Sequence, residues 1–134
     1  MKSVYLAATL LVAGLTLPAC QSSSEKGVTS NYHSQWTDVN ADVKTTTSAA
    51  EMVLRDNDLK DVKSSATNVD GSASAKKADG TKVNASITRK SDTKSSVSVT
   101  IGTMGDPALG AEMAKKIKDR AEMGGTNMTS TTRP

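Results

Sequence analysis

The residue best equipped for chemistry is Cys20, the only cysteine in this chain of 134 residues. It stands at the end of an uncharged apolar run from Val4 to Leu17, and Lys2 supplies a positive charge before that run. The run has the length of a secretion-signal core and falls short of the ~20 residues that span a bilayer. An exported protein with one cysteine cannot form an internal disulfide, so a modified Cys20 is favoured over a plain signal peptide.

The sequence Leu17-Pro18-Ala19-Cys20 resembles the bacterial lipobox, with a mild departure at Pro18. That resemblance implies that the signal is cut before Cys20, that its thiol is diacylated, and that membrane lipid is thereby a partner of the chain. Two acyl chains are enough for stable anchoring. Gln21 and Ser22 follow, with no Asp in the second position after the cysteine, so the expected address is the outer membrane, facing the periplasm.

Other candidate catalytic and metal-binding residues are few. His33 is the only histidine, and no G-x-S-x-G elbow accompanies it, so a Ser-His-Asp triad is disfavoured. The Asp56, Asp58 and Asp61 cluster lacks the spacing and the glycine of a calcium loop. The sequence therefore predicts no enzyme activity, no cofactor and no metal site.

The segment from Gly102 to Asp106 (GTMGD) leads into a predicted helix, where backbone N–H groups can bind anions. It lacks the lysine and the spacing of a phosphate-binding loop, and Asp106 places a negative charge where the anion would sit. The favoured interpretation is a tight turn with Asp106 as the helix N-cap; the alternative is a ligand cradle.

Length and composition favour one small domain. We expect a signal peptide at 1–19, a lipidated flexible tether at 20–31, a single domain at 32–125 and a disordered tail at 126–134. The chain has 17 basic and 14 acidic residues, one of the basic ones inside the predicted signal, which is too balanced to indicate nucleic acid as a partner. With no Phe, the core must use Val, Ile, Leu, Met and Ala.

Apolar residues at three- and four-residue steps predict a first helix from about Trp36 to Arg55, capped by Ser34. The β-branched Thr45-Thr46-Thr47 run is weak helix material, so tertiary packing would have to hold that turn. The final helix is predicted to begin at Pro107 after Asp106 and to end at Gly124-Gly125.

Between the two predicted helices, apolar residues recur at every second position. Alternation predicts strands around 83–88 and 96–101, a weaker one at 72–76, and a strand at 62–69 whose faces cannot be assigned. Agreement of the apolar faces favours a three-residue turn with a bulge at Gly80, which pairs Ala75 with Val83. The same argument gives a three-residue loop at 91–93, with Ile87 opposite Val97.

The predicted fold is therefore α+β: a two-layer sandwich in which a four-stranded antiparallel meander carries an N-terminal and a C-terminal helix on one face (α-β-β-β-β-α). The other face should be hydroxyl-rich and without an aromatic side chain on which a sugar could stack.

The turn Asp79-Gly80-Thr81 and the motif Ile101-Gly102-Thr103-Met104-Gly105-Asp106 before the last helix, together with the lipobox, resemble a family of small bacterial lipoproteins known only as a domain of unknown function. The resemblance covers about 36–122 and implies location and architecture but no active site. The leading hypothesis is a non-enzymatic binding or structural module. The alternative is an accessory subunit that docks an envelope protein through the open sheet face or an edge strand. The sequence leaves the oligomeric state open.

Overall fold

The computed structural model describes residues 27–31 and 33–126, the last two by their backbone alone. Its elements are two helices and six strands: β1 (Thr29–Ser30), β2 (Ser34–Val39), α1 (Val43–Asp56), β3 (Lys60–Ala66), β4 (Asp70–Lys76), β5 (Lys82–Ser91), β6 (Lys94–Ile101) and α2 (Pro107–Thr126). The predicted signal peptide, Cys20 and the residues after 126 lie outside the described part of the chain.

All described strands form one antiparallel sheet in the order β1-β2-β6-β5-β4-β3. The α+β class and the meander from β3 to β6 confirm the prediction, but the predicted count of four strands is wrong because β1 and β2 extend the sheet beyond β6. Both helices cover one face: α1 packs mainly on β3 and β4, while α2 packs on β2 and β6.

The first predicted helix is half wrong. Residues 34–39 form β2, and the helix begins only at Val43, with Asp42 as its cap; Asp42 Oδ1 accepts a hydrogen bond from the Thr45 N–H at 2.7 Å. The sequence of β2 shows no alternation of apolar and polar residues, because two of its three inward positions, Gln35 and Thr37, are polar yet buried. A helical pattern drawn from Trp36 onward therefore joined residues of two different elements.

Two buried polar residues of β2 hold the segment before it. Gln35 Nε2 donates to the Asn31 carbonyl oxygen at 3.0 Å, and Thr37 Oγ1 donates to the Gly27 carbonyl oxygen at 2.6 Å. Thr29 and Ser30 pair with β2 as β1. The end of the segment predicted to be a flexible tether is thus part of the sheet, because it supplies hydrogen-bond acceptors that these buried side chains need.

The register predicted for the meander is correct where buried faces decide it. Ala75 pairs with Val83 and Ile87 with Val97. Gly80 has a φ of +85° in a turn closed by the Gly80 N–H and the Lys77 carbonyl oxygen at 2.9 Å, as a bulged turn requires.

Two predicted element ends are wrong. Ser91 pairs directly with Lys94, so the loop between β5 and β6 has two residues rather than three, and the strand absorbs the extra residue at a register shift between Arg89 and Ser91. The last helix continues to Thr126, since Gly124 does not adopt the positive φ that would end it.

The core lies between the sheet and the helices and is made of small apolar side chains. Its largest fully buried apolar residues are Leu54, Ile87, Met113 and Ile117. Thr46 and Thr47, the weak point of the predicted helix, are buried there: Thr46 contacts Ser95 Oγ at 2.8 Å, and Thr47 Oγ1 donates to the Val43 carbonyl oxygen at 2.7 Å. Tertiary contacts hold this turn, as expected.

Candidate binding surface

Most residues singled out from the sequence are not gathered into one site. Asp106 precedes α2, and its Oδ1 accepts a hydrogen bond from the Leu109 N–H at 3.1 Å, which is the contact of an N-cap. His33 is exposed immediately before β2. Cys20 lies outside the described residues, so the structure adds nothing on its modification.

Two of the three aspartates considered as a calcium cluster pair with different cations. Asp56 pairs with Arg120 at 3.1 Å, and Asp61 pairs with Lys76 at 3.0 Å. Within residues 27–31 and 33–126, no three His, Cys, Asp or Glu side chains come close enough to hold a metal ion. No helix in this same part of the chain is long and apolar enough to cross a membrane.

The surface that the architecture leaves uncovered is the sheet face opposite the helices, which we call the open face. Its central strands present alternate residues that are polar and exposed or half-exposed. Cross-strand pairing arranges them in rows, with Ser98 of β6 opposite Ser86 of β5 and Ser86 opposite Ser72 of β4. The open face comprises Ser34, Trp36, Asp38, Ser96, Ser98, Thr100, Asn84, Ser86, Thr88, Ser72 and Ser74.

Trp36 is the unexpected member of the open face. It alternates with the buried residues Gln35 and Thr37, so its side chain lies on the opposite side of the sheet from α2. It is paired with Thr29 on one side and Ser98 on the other, and it is only partly buried. The expectation that this face lacks an aromatic residue is therefore wrong, because it followed from placing Trp36 in a helix.

At the far end of the open face, lysines occupy directly paired positions. Lys60 of β3 pairs with Lys76 of β4, and Lys76 pairs with Lys82 of β5; Lys63 lies in the next row, opposite Ser74. We call Lys60, Lys63, Lys76 and Lys82 the lysine cluster. Like charges directly opposite each other on neighbouring strands are destabilising, so this row carries a cost in stability.

One carboxylate lies inside the lysine cluster. The hydrogen bond from Lys76 and the positive charges of Lys76, Lys63 and Lys60 hold the pKa of Asp61 below its ordinary value. Asp61 reaches Lys76 because it has a positive φ of 54° at the irregularity between Lys60 and Lys63. Within the described residues, neither Lys63 nor Lys82 has a carboxylate within ion-pair distance.

Two neighbouring depressions lie beside the lysine cluster and share Lys82 and Asn84 in their lining. One of about 440 Å³ is lined by Asp61, Lys63, Ser74, Lys76, Lys82 and Asn84. The other, of about 600 Å³, continues from Lys82 and Asn84 across the β4–β5 turn to the loop that ends at Asp106. Together they form a shallow groove at one end of the open face, which we call the lysine groove.

Sequence reasoning missed this groove although a signal for it was present. The bulged turn at Gly80, predicted correctly, already places Lys76 near Lys82 at the end of the hairpin. What was missing was the register of β3, because its exposed residues show no apolar face from which a register can be read.

Comparison with known proteins identifies a family, and no activity is known for that family. The model of a family described as a protein of unknown function (DUF3568) matches residues 4–120. The chain belongs to this family. The match spans every described strand and most of α2, and it starts upstream of Cys20. The curated proteins include no match.

Proposed function

We propose that this member of the family is a lipid-anchored protein of the bacterial cell envelope whose domain binds a ligand through the open face, without enzymatic activity. The anchor is supported by the sequence around Cys20. The apolar run, Ala19 and the lone cysteine follow the lipobox pattern, and the matched family region begins inside that run. The residues after Cys20 favour the outer membrane, with the domain in the periplasm.

The observation that carries the binding role is the position of Trp36 on the open face. It is the only tryptophan of the chain, and it lies on a sheet surface of hydroxyl groups rather than among the apolar side chains under the helices. An aromatic ring beside hydrogen-bonding groups is the usual composition of a surface that binds polar ligands.

The anchor is tested by metabolic labelling with a fatty-acid analogue. Wild-type chain should take up the label, and Cys20→Ser should not, because the acylated thiol is gone. The variant should accumulate as unprocessed precursor or as a form that leaves the membrane fraction. Equal labelling of both chains would show that Cys20 is not the acylated residue.

The binding role is tested by site-specific photo-crosslinking in the producing cell. A photoreactive residue in place of Ser86, at the centre of the open face, should form covalent adducts. The matched control replaces Glu112, which is exposed on α2 in the helical layer. Adducts at Glu112 and none at Ser86 would place the contact surface on the helices and overturn the proposal.

An accessory-subunit role is favoured by one feature, the outer edge of β3. Within the described residues, β3 pairs only with β4, so its other edge is open to strand addition by a partner. A photoreactive residue at Ser65 samples this edge. Protein adducts at Ser65, with none at Ser86, would favour the accessory subunit over the binding module.

A further inference from the structure

The lysine cluster is a destabilising arrangement that the fold keeps. Lys60, Lys76 and Lys82 are aligned across three neighbouring strands, and only Lys76 has a carboxylate within ion-pair distance in the described part of the chain. Paired positions on neighbouring strands bring the Cβ atoms of their side chains within ~5.5 Å of each other. The ammonium groups therefore repel one another, and within the described residues Asp61 offsets this repulsion only in part, through its ion pair with Lys76.

The lysine groove has the shape of a site for an extended ligand. Two strand spacings of ~4.8 Å separate the strand of Lys63 from that of Lys82, and the groove continues past Lys82 towards the loop before α2. Four lysines line it (Lys63, Lys76, Lys77 and Lys82). Its two carboxylates already have partners: Asp61 is bonded to Lys76, and Asp106 caps α2. Charge complementarity calls for several anionic groups spaced along one chain.

Hydroxyl and amide groups accompany the lysines. Ser74 and Asn84 line the groove between Lys63 and Lys82, and the hydroxyl rows of the open face continue from there towards Trp36. From Lys82 to Trp36 the sheet spans roughly 17 Å, given two strand spacings across and four residues along the strands. These groups match a polysaccharide: the lysines can pair with its carboxylates, the protein hydroxyls can hydrogen-bond to its sugar hydroxyls, and the aromatic ring can stack on a sugar.

The position of the cluster in the sheet argues against the anchoring membrane as its ligand. The described chain enters the sheet at β1, and β3 is the opposite edge, five strand spacings or ~24 Å away. Electrostatic attraction to a charged surface falls off within a Debye length of ~8 Å. The lysines of β3 therefore lie farther than a Debye length from the point where the described chain enters the sheet.

We propose that the lysine groove binds an acidic polysaccharide, a chain of sugars that carry carboxylates, whose neighbouring sugars extend over the open face towards Trp36. This inference rests on the proposed function and names its ligand class. Binding should weaken with added salt, because the lysine–carboxylate contacts are solvent-exposed.

The test measures binding of fluorescein-labelled polygalacturonate oligosaccharide to the full chain in neutral detergent by fluorescence polarisation. The matched ligand is the same oligosaccharide with its carboxylates methyl-esterified. The double variant Lys76→Gln/Lys82→Gln is compared with Lys44→Gln/Lys94→Gln, which removes two exposed lysines outside the groove. We expect roughly tenfold weaker binding for the ester and for the groove variant, and no change for the control variant.

The variants also separate a folding defect from a binding defect. Lys76→Gln/Lys82→Gln removes the repulsion between lysines but also the exposed Lys76–Asp61 ion pair, so its denaturation midpoint should stay close to that of the wild type while its affinity falls. If the acid and the ester bind equally and only Trp36→Ala loses affinity, the lysine site is refuted and the open face remains as the binding surface. Lysine-dependent binding of phosphatidylglycerol vesicles or duplex DNA, but of neither oligosaccharide, would refute the polysaccharide. Failure of every probe would also overturn it, whereas the crosslinking at Ser86 judges the proposed function separately.

Discussion

A buried hydroxyl pair ties α1 to the sheet, and its removal should be unusually costly. Ser95 Oγ donates to the Ala41 carbonyl oxygen at 2.9 Å and lies 2.8 Å from Thr46 Oγ1. A hydroxyl has one proton, so Thr46 must be the donor in the second bond. Both side chains are fully buried. Ser95→Ala therefore leaves one acceptor and one donor without their partners.

The expected cost follows from the two groups left unsatisfied. Each buried polar group without a partner costs about 1–3 kcal/mol. The Thr46 hydroxyl can turn to the Asp42 carbonyl oxygen one helical turn back, which lowers its share. We expect Ser95→Ala to reduce the free energy of unfolding by about 2–4 kcal/mol. Thr46→Val preserves shape and leaves Ser95 bonded to Ala41, so it should cost only about 1 kcal/mol.

The assay is equilibrium urea unfolding, followed by Trp36 fluorescence and by circular dichroism. Ser86→Ala on the open face is the control and should change stability by less than about 0.5 kcal/mol. The double variant Thr46→Val/Ser95→Ala should cost no more than Ser95→Ala alone, because it removes the stranded donor as well. A cost for Ser95→Ala similar to that of the control, or strict additivity in the double variant, would refute the reasoning.

Three further substitutions test other parts of the fold. Asp106→Ala should cost about 0.5–2 kcal/mol in urea unfolding and Asp106→Asn little, because asparagine also caps; equal losses would argue against capping. Gly71→Ala should cost about 1–3 kcal/mol by the same measurement, since the added Cβ overlaps Thr47 Oγ1. Burial would raise the pKa of Glu122, but hydrogen bonds, among them that from Lys118, hold it below its ordinary 4.5. The stabilisation by the Glu122 carboxylate is therefore present above that pH and lost as pH falls further. Glu122→Gln should weaken the dependence of the free energy of unfolding on pH, measured between about pH 5 and 3.

The parts of the fold that could be predicted are those where one period explains both burial and pairing. Val83 and Ile87 face the core because strict alternation leaves no other register, and the turn at Gly80 follows from that register. The start of α2 could be predicted because Asp106 and Pro107 act locally. In each case, residues close in sequence contain the physical reason for the structure.

The parts that could not be predicted depend on contacts between distant residues. Gln35 and Thr37 face the interior because residues 27–31 accept their hydrogen bonds, and a polar side chain gives no sign of this in the sequence. The error then spread to the candidate site. A helical assignment of Trp36 removes the aromatic ring from the predicted open face, and the lysines cannot be aligned without the register of β3.

The use of Trp36 is the strongest argument that the open face has a role beyond solubility. The core lacks Phe, contains many alanines and, among the described residues, buries five polar side chains. A fully buried tryptophan removes about 150–250 Å² from water, worth about 4–6 kcal/mol at ~25 cal/mol per Å², and the partly buried Trp36 gains only part of this. The fold instead keeps its only Trp on the polar face, together with aligned lysines that repel one another. The repulsion between lysines lowers stability and the exposed part of the indole ring adds none, and the proposed binding surface would use both features.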